Sequence, residues 1–326
     1  MNEIISNTII DNSTIDNLII DNSIELNNNN DIPKKIFIIP YRDREQHREL
    51  FITYMTKVLE DEQGTYKFLF IHQNDKRPFN RGAMKNIGFL YVKDTYPHDY
   101  KDITLIFHDI DLMPWKKNIF DYETTYGVVK HYYGFTFALG GMFAIKAEDF
   151  EKINGFPNYW AWGFEDNLIQ LRWLRFRGII DRSKFLPIQH PNVLASYHGF
   201  NRTTSKTNEN RYIQKDKNDI HNRNGITTIK LLKYTVDKIN LHSDTININN
   251  FITDTLPNKD IKNENLKNII SRFSNDSNLY DKQNRIQQNR INQQRSKKIT
   301  NKRTNFNKLV DTNFIKKKSE SFIFKY

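Results

Sequence analysis

An α/β fold is what this sequence predicts, and three observations predict it. Apolar runs of strand length recur at 36–39, 66–71 and 103–107. Helix-length segments lie between them, and that alternation marks a layered α/β architecture. Charged residues follow directly on two of the runs, Arg42 and Arg44 after the first, Asp109 and Asp111 after the third. The carboxyl ends of buried strands are where such sheets bind ligands.

The 326 residues can bury a sizeable core in one or two domains. Hydrophobic content of 38% and a mean hydropathy of −0.71 are low for a chain that packs throughout, so part of it is expected to stay unpacked. There is no cysteine, which excludes disulfides and thiolate metal sites. The net charge of +11 is localised: residues 281–326 carry thirteen Lys and Arg against three acids, leaving the rest near neutral. The basicity belongs to a tail, which offers nucleic acid a salt-sensitive, sequence-blind affinity at most. No apolar run reaches the length of a membrane span, and no basic stretch precedes an apolar one at the N-terminus. On these grounds the protein is expected to be cytoplasmic or otherwise soluble, without signal peptide or anchor.

Residues 1–33 form an Asn- and Ile-rich leader with a short internal echo, expected to be poorly ordered. Ile36-Phe37-Ile38-Ile39 reads as a strand buried on both faces and ended by Pro40. Arg42 and Arg44 then stand where a guanidinium fork suits a diphosphate, ahead of a helix expected over 45–59. Residues 66–71 form a second strand. Phe79-Asn80-Arg81 opens a helix to about Val92, with Asn80 as N-cap. The third strand, 103–107, leads into Asp109-Ile110-Asp111. In extended chain, residues two apart project to one side, so both carboxylates would face one site. There they can hold a divalent cation and a ribose hydroxyl.

Gly140-Gly141 suggests close backbone approach or a bulge. A helix is expected over 147–153, then the turn Asn154-Gly155-Phe156-Pro157. The stretch Trp160-Ala161-Trp162-Gly163-Phe164-Glu165-Asp166 puts two indoles and two adjacent carboxylates together. Indole faces stack on sugar rings, and a carboxylate can take a proton from a hydroxyl. The other reading is two core tryptophans ahead of the acidic first turn of a helix over 165–177. His198 precedes a polar run, and 226–236 reads as the last strand or strand pair. Beyond Asn240 the apolar periodicity fades, with Leu266, Ile269, Ile270 and Phe273 hinting at one helix. The expected division is therefore 1–33, 34–240 and 241–326.

The order of these pieces resembles the β-1,4-galactosyltransferase family, inverting enzymes of the GT-A fold that use UDP-sugars and manganese. It is carried by Pro40-Tyr41-Arg42-Asp43-Arg44, Phe79-Asn80-Arg81 with Asn86-Ile87-Gly88-Phe89, Asp109-Ile110-Asp111 and Gly140-Gly141. Asn154-Gly155-Phe156-Pro157, the tryptophan–carboxylate stretch and His198 complete it. Several ordered motifs are far more specific than one. The match covers about residues 34–238, and the fold it implies is a GT-A-like mixed, mainly parallel sheet flanked by helices.

The resemblance implies roles. Pro40, Arg42, Arg44, Phe79, Arg81, Asp109, Ile110, Ala138, Gly141 and Trp162 would bind the nucleotide-sugar. Asp111 and His198 would ligate Mn2+. Trp162, Phe164, Glu165 and Arg211 would hold the acceptor, and Asp166 would be the general base. The chain departs from the family at three positions: Ala195 stands where well-known members carry Met, Phe164 where they carry Gly, and Ala138 where galactose-using members carry Tyr.

The expectation is a metal-dependent inverting transferase moving a sugar from a UDP-sugar to the hydroxyl of a carbohydrate or glycoprotein. A loop after His198 is placed to close on the donor, and both termini are expected to be dispensable for the chemistry. Two rivals stand beside it: a sugar-binding protein of the same fold without catalysis, and a nucleic-acid binder acting through its tail.

Overall fold

The computed structural model describes residues 32–62, 66–196, 201–257 and 259–265. The chain divides into two compact units, 1–277 and 278–326, the second lying wholly outside the described residues. The leader up to residue 31, the basic tail and the helix expected around Leu266 to Phe273 also lie outside them.

In chain order the regular elements begin with β1 (Lys35–Tyr41), α1 (Glu45–Val58), β2 (Tyr66–Gln73), α2 (Arg81–Thr95), β3 (Thr104–His108), β4 (Leu112–Pro114), β5 (Val128–Gly134) and β6 (Met142–Lys146). They continue with α3 (Ala147–Lys152), α4 (Glu165–Arg175), β7 (Ile179–Asp181), β8 (Leu186–Pro187), β9 (Val193–Ala195), β10 (Asn201–Ser205) and α5 (Lys206–Gln214). The last three are β11 (Lys230–Asn240), β12 (Ser243–Ile252) and β13 (Ile261–Asn265).

The central sheet runs β11-β12-β2-β1-β3-β6-β5-β7, with β8 also on β5. β12, β2, β1 and β3 are mutually parallel, and β6 turns antiparallel between β3 and β5. This is the mixed, mainly parallel α/β sheet that the sequence predicts. Alternation along β1 explains the two cores. Ile36 and Ile38 face one layer with Ile87, Phe89, Phe150 and Trp173; Phe37 and Ile39 face the other with Phe51, Phe68 and Phe70. Every residue of β1 is buried, as a strand covered on both faces requires. Pro40 does not end the strand: it pairs with Ile71, while the ladder to β3 has already finished at Ile38 and Phe107. Gly88 lets α2 sit close on β1 and β2, because a β-carbon there would stand 2.6 Å from an Ile38 methyl.

The sheet runs beyond residue 240, where the sequence pattern fades. β12 pairs in parallel with β2 over Ser243 to Ile248, and its Ile246, Ile248 and Phe251 are fully buried. Residues 261–265 form β13, antiparallel to β10. Both are rich in residues that strands disfavour, Asp and Asn in β12 and Asn, Lys and Glu in β13, so neither reads as a strand without its partner.

Candidate active site

The site lies at the carboxyl ends of β1 and β3 and at the amino ends of α2 and α4. Asn80 caps α2 through a hydrogen bond from the Ala83 N–H at 2.9 Å, and its own N–H donates to Gln73 Oε1 at 2.8 Å. That fixes Arg81 at the first turn, aimed into the site. Its guanidinium joins three carboxylates. Nε donates to Asp109 Oδ1 at 3.2 Å, and Nη1 to Glu165 Oε1 at 3.0 Å and to both oxygens of Asp166 at 2.9 Å. The Arg81 side chain is 11% exposed. The three carboxylates hold its proton more firmly than usual, against burial that works the other way. Asp109 is kept below the ordinary carboxylate range, Arg81 and Lys85 outweighing its burial. Glu165 is pushed up by burial and by Asp166, and accepts a bond from the Gly163 N–H at 2.9 Å.

Asp109 to Asp111 is a turn, not the extended chain expected: the Leu112 N–H donates to Asp109 O at 3.2 Å. The two carboxylates then take different cations, Asp109 pairing with Arg81 and Asp111 with Arg44 Nη1 at 2.9 Å. They still feel each other, since Asp109 together with burial raises the proton affinity of Asp111. Ile110 between them is buried. Arg42 reaches the backbone carbonyls of Asp75 and Arg77 at 3.1 and 2.5 Å and lies over the Phe79 ring, 5.5 Å from its centroid.

Gly140 and Gly141 are places where only glycine fits. A β-carbon on Gly140 would meet Asp166 Oδ2 at 2.5 Å, and Gly141, at φ 68°, would drive one into Tyr133 O. Asp109 N–H donates to Gly141 O at 3.1 Å and Leu139 N–H to Asp166 O at 2.9 Å, tying this loop to β3 and α4. Ala138 is buried beside it.

The two indoles separate. Trp160 belongs to the core, stacked on Phe251 at 5.2 Å with its Nε1–H on Thr255 O. Trp162 is half-buried, its N–H on Thr203 O of β10 at 2.7 Å. The backbone here is strained, with Ala161 at φ 112° and Phe164 at φ 67°, each costing on the order of 1–3 kcal/mol. Phe164 stacks on Tyr212 of α5, centroids 4.5 Å apart. Arg211 is not brought to the carboxylates: it pairs with Asp216 at 3.0 Å and with Asp254. His198 lies outside the described residues.

Sequence reasoning missed Lys85, fully buried, with Nζ 3.3 Å from Asp166 Oδ1. Its place one turn beyond Arg81 was the available signal. It also missed Tyr212 and Thr203, which reach the tryptophan stretch from elements far along the chain.

Residues 24–123 match the family model described as the N-terminal region of glycosyl transferase group 7, and residues 124–198 that described as the N-terminal domain of galactosyltransferase. A xylosylprotein 4-beta-galactosyltransferase of Caenorhabditis elegans is 30% identical over 200 residues, covering 57% of this chain and 67% of that protein. Beta-1,4-galactosyltransferase 1 of Bos taurus is 32% identical over 188 residues, covering 54% and 44%. The chain thus spans about two thirds of the first relative and less than half of the second. The catalytic domain of Drosophila beta-1,4-galactosyltransferase 7, solved with xylobiose, superposes with a TM-score of 0.51 at 20% identity, over 70% of this chain and 98% of that one. A mutant of the same enzyme, solved with manganese, UDP-Gal and xylobiose, gives 0.50 at 21% over the same shares.

The expected cytoplasmic location is corrected by these relatives, which are Golgi-type galactosyltransferases that normally work in a lumen. No helix among the described residues is long and apolar enough to cross a membrane. By its two family matches, its worm relative and its fold, the chain belongs to glycosyltransferase group 7, the β-1,4-galactosyltransferase family of UDP-sugar-dependent transferases.

Proposed function

We propose that this chain moves galactose or an N-acetylhexosamine from a UDP-sugar to a hydroxyl of a carbohydrate acceptor, with inversion to a β-linkage. The observation that carries this is the convergence of Asp109, Glu165 and Asp166 on Arg81. On this reading the three are a nucleotide-side carboxylate, an acceptor-side carboxylate and a base, gathered around one cation that a diphosphate can claim.

In this reading Arg42 and Phe79 hold the uridine end, with Arg44 and Arg81 toward the phosphates. Asp109 takes the ribose. Half-buried Trp162 lies at the junction of donor and acceptor, and Glu165 accepts a hydrogen bond from the acceptor sugar. Asp166 takes the proton of the attacking hydroxyl. The acceptor oxygen bonds to the anomeric carbon as the bond to the diphosphate breaks, its electron pair leaving with UDP.

The residues fit a divalent cation. Among the described residues no cluster of three or more His, Asp or Glu side chains is set to hold one. Asp111 nonetheless offers one hard carboxylate whose charge is crowded by Asp109 and burial. Such a site takes a metal that completes its shell with donor oxygens. The Ser196 N–H donates to Asp111 O at 2.9 Å, which supports His198, two residues on, as the second ligand. Manganese bound there would neutralise the charge that develops on the leaving diphosphate.

The test is UDP release from a panel of UDP-sugars with manganese, with and without simple sugar acceptors. Release that rises with an acceptor and stops in EDTA is expected. No release from any UDP-sugar overturns the reading.

A further inference from the structure

Helix α2 carries a second cation into the site. Lys85 follows Arg81 by one turn on the same face, and its side chain is 1% exposed. Lysine is almost never fully buried without a partner. Here the ammonium lies over the Phe156 ring, 4.3 Å from the centroid, and donates to Asp166 Oδ1 at 3.3 Å. Burial lowers its proton affinity and Arg81 lowers it further, while Asp166, Asp109 and Glu165 oppose them.

The two cations differ in what can reach them. Arg81 lies across Asp109, Glu165 and Asp166 at the strand ends, where the donor diphosphate is expected, so an incoming donor competes with those carboxylates for it. Lys85 sits one turn deeper, enclosed by Phe156 and Asp166, and a diphosphate cannot displace it. Gly140 bears on the other oxygen of Asp166: a β-carbon there would stand 2.5 Å from Oδ2, so the glycine leaves that oxygen its space.

On the reading above, we propose that Lys85 is a positioning residue. Its captive ammonium keeps Asp166 Oδ1 engaged when the donor draws Arg81 away, leaving Oδ2 to take the proton of the acceptor hydroxyl. The carboxylate therefore stays oriented through the step that frees it from Arg81.

The experiment uses the full chain carrying Lys85→Met, which keeps an unbranched side chain one atom shorter and removes its charge. Transfer kcat is expected to fall about 10- to 100-fold through misplacement of the base, with donor KM within about twofold. Lys85→Gln, which keeps a donor without the charge, should recover part of kcat. It carries the same test if the Met variant does not fold by circular dichroism. A folded variant with unchanged kcat overturns the inference, as does a loss confined to donor KM. A wild type inactive toward every UDP-sugar sinks the proposed function and this inference together; an active wild type with an indifferent Lys85→Met sinks this inference alone.

Discussion

Gly140 and Asp166 are in contact where no β-carbon fits: one built on the glycine would stand 2.5 Å from Oδ2 and 3.0 Å from Cγ of the aspartate. The neighbour is a carboxylate already held by Arg81 and Lys85, so it has little room to give. Gly140→Ala should therefore displace Asp166 while leaving the nucleotide side alone. The expected result is a fall in transfer of about 10²-fold with UDP binding within a few-fold of wild type. Calorimetric titration of UDP beside a transfer assay checks it, and near-normal transfer would show that Asp166 tolerates the shift.

Phe164 stands at a backbone position that suits glycine, φ 67°, yet its ring is 7% exposed and stacked on Tyr212. Truncating a buried Phe costs about 3–5 kcal/mol, and relief of the left-handed strain returns about 1. Phe164→Gly should thus lose about 2–4 kcal/mol in urea denaturation and alter acceptor KM more than donor KM. Equal or greater stability would mean that the stack does not repay the strain.

His131 predicts an acid sensitivity seated beside the site. Its Nε2 lies 3.1 Å from the carbonyl oxygens of both Tyr133 and Gly140, so that nitrogen carries the proton, and Nδ1 accepts from Arg182 Nε at 3.1 Å. Burial first and Arg182 second hold the imidazole well below its usual value. Below about pH 6.5 the unfolded chain takes up a proton that the folded one refuses, so stability is lost as pH falls from there. His131→Gln should be less stable at pH 7 and flatter between pH 6.5 and 5, at about 1.4 kcal/mol per unit of lowering removed. Parallel slopes in urea melts of the two proteins would exclude His131 as the source.

The segment read as dispensable tail is tied to the site. Asp260 accepts from Ser205 Oγ at 2.8 Å and from the Thr207 N–H at 2.8 Å, securing the start of α5 just before β13 pairs with β10. α5 carries Tyr212, and β10 carries the Thr203 carbonyl that holds Trp162. Asp260→Ala should raise acceptor KM several-fold with donor KM nearly constant, since removing a cap of this kind costs about 1 kcal/mol. Unchanged acceptor kinetics would return the segment to the tail.

The legible parts of this chain were those whose partners did not matter. β1, β2 and β3 are apolar enough to be strands in any context, and Asn80 caps a helix through its own local bond. β12 was not legible, because Asp244, Asn247, Asn249 and Asn250 interrupt its apolar pattern, and pairing with β2 and β11 is what makes it a strand. Trp160 looked like Trp162 until Phe251, ninety-one residues on, covered it. Within the site the residue types and their order were readable, but their convergence was not: Arg81 joins positions 28, 84 and 85 residues away. The turn at Asp109 to Asp111 defeated a periodicity argument that holds only for extended chain.

Ala138 bears on which sugar the donor carries. In the resembled family a Tyr here crowds the C2 substituent, so plain galactose fits better than its N-acetyl form. Ala removes both the ring and its hydroxyl and strands no buried polar group. The rival idea, that Phe137 or Leu139 fills the space, has little support from the packing. Phe137 is stacked on Phe135, centroids 5.0 Å apart, and Leu139 is buried in the core with its N–H on Asp166 O. An N-acetylhexosamine donor should therefore be tolerated. Steric discrimination in one pocket is worth about 10–200-fold, so the measurement is the ratio of kcat/KM for UDP-N-acetylgalactosamine and UDP-galactose. Ala138→Tyr should move that ratio toward galactose. On the proposed reading, which puts Ala138 on the donor side, acceptor KM should stay within about twofold. A wild type that strongly prefers galactose, with a ratio indifferent to the substitution, would mean that another residue gates the donor.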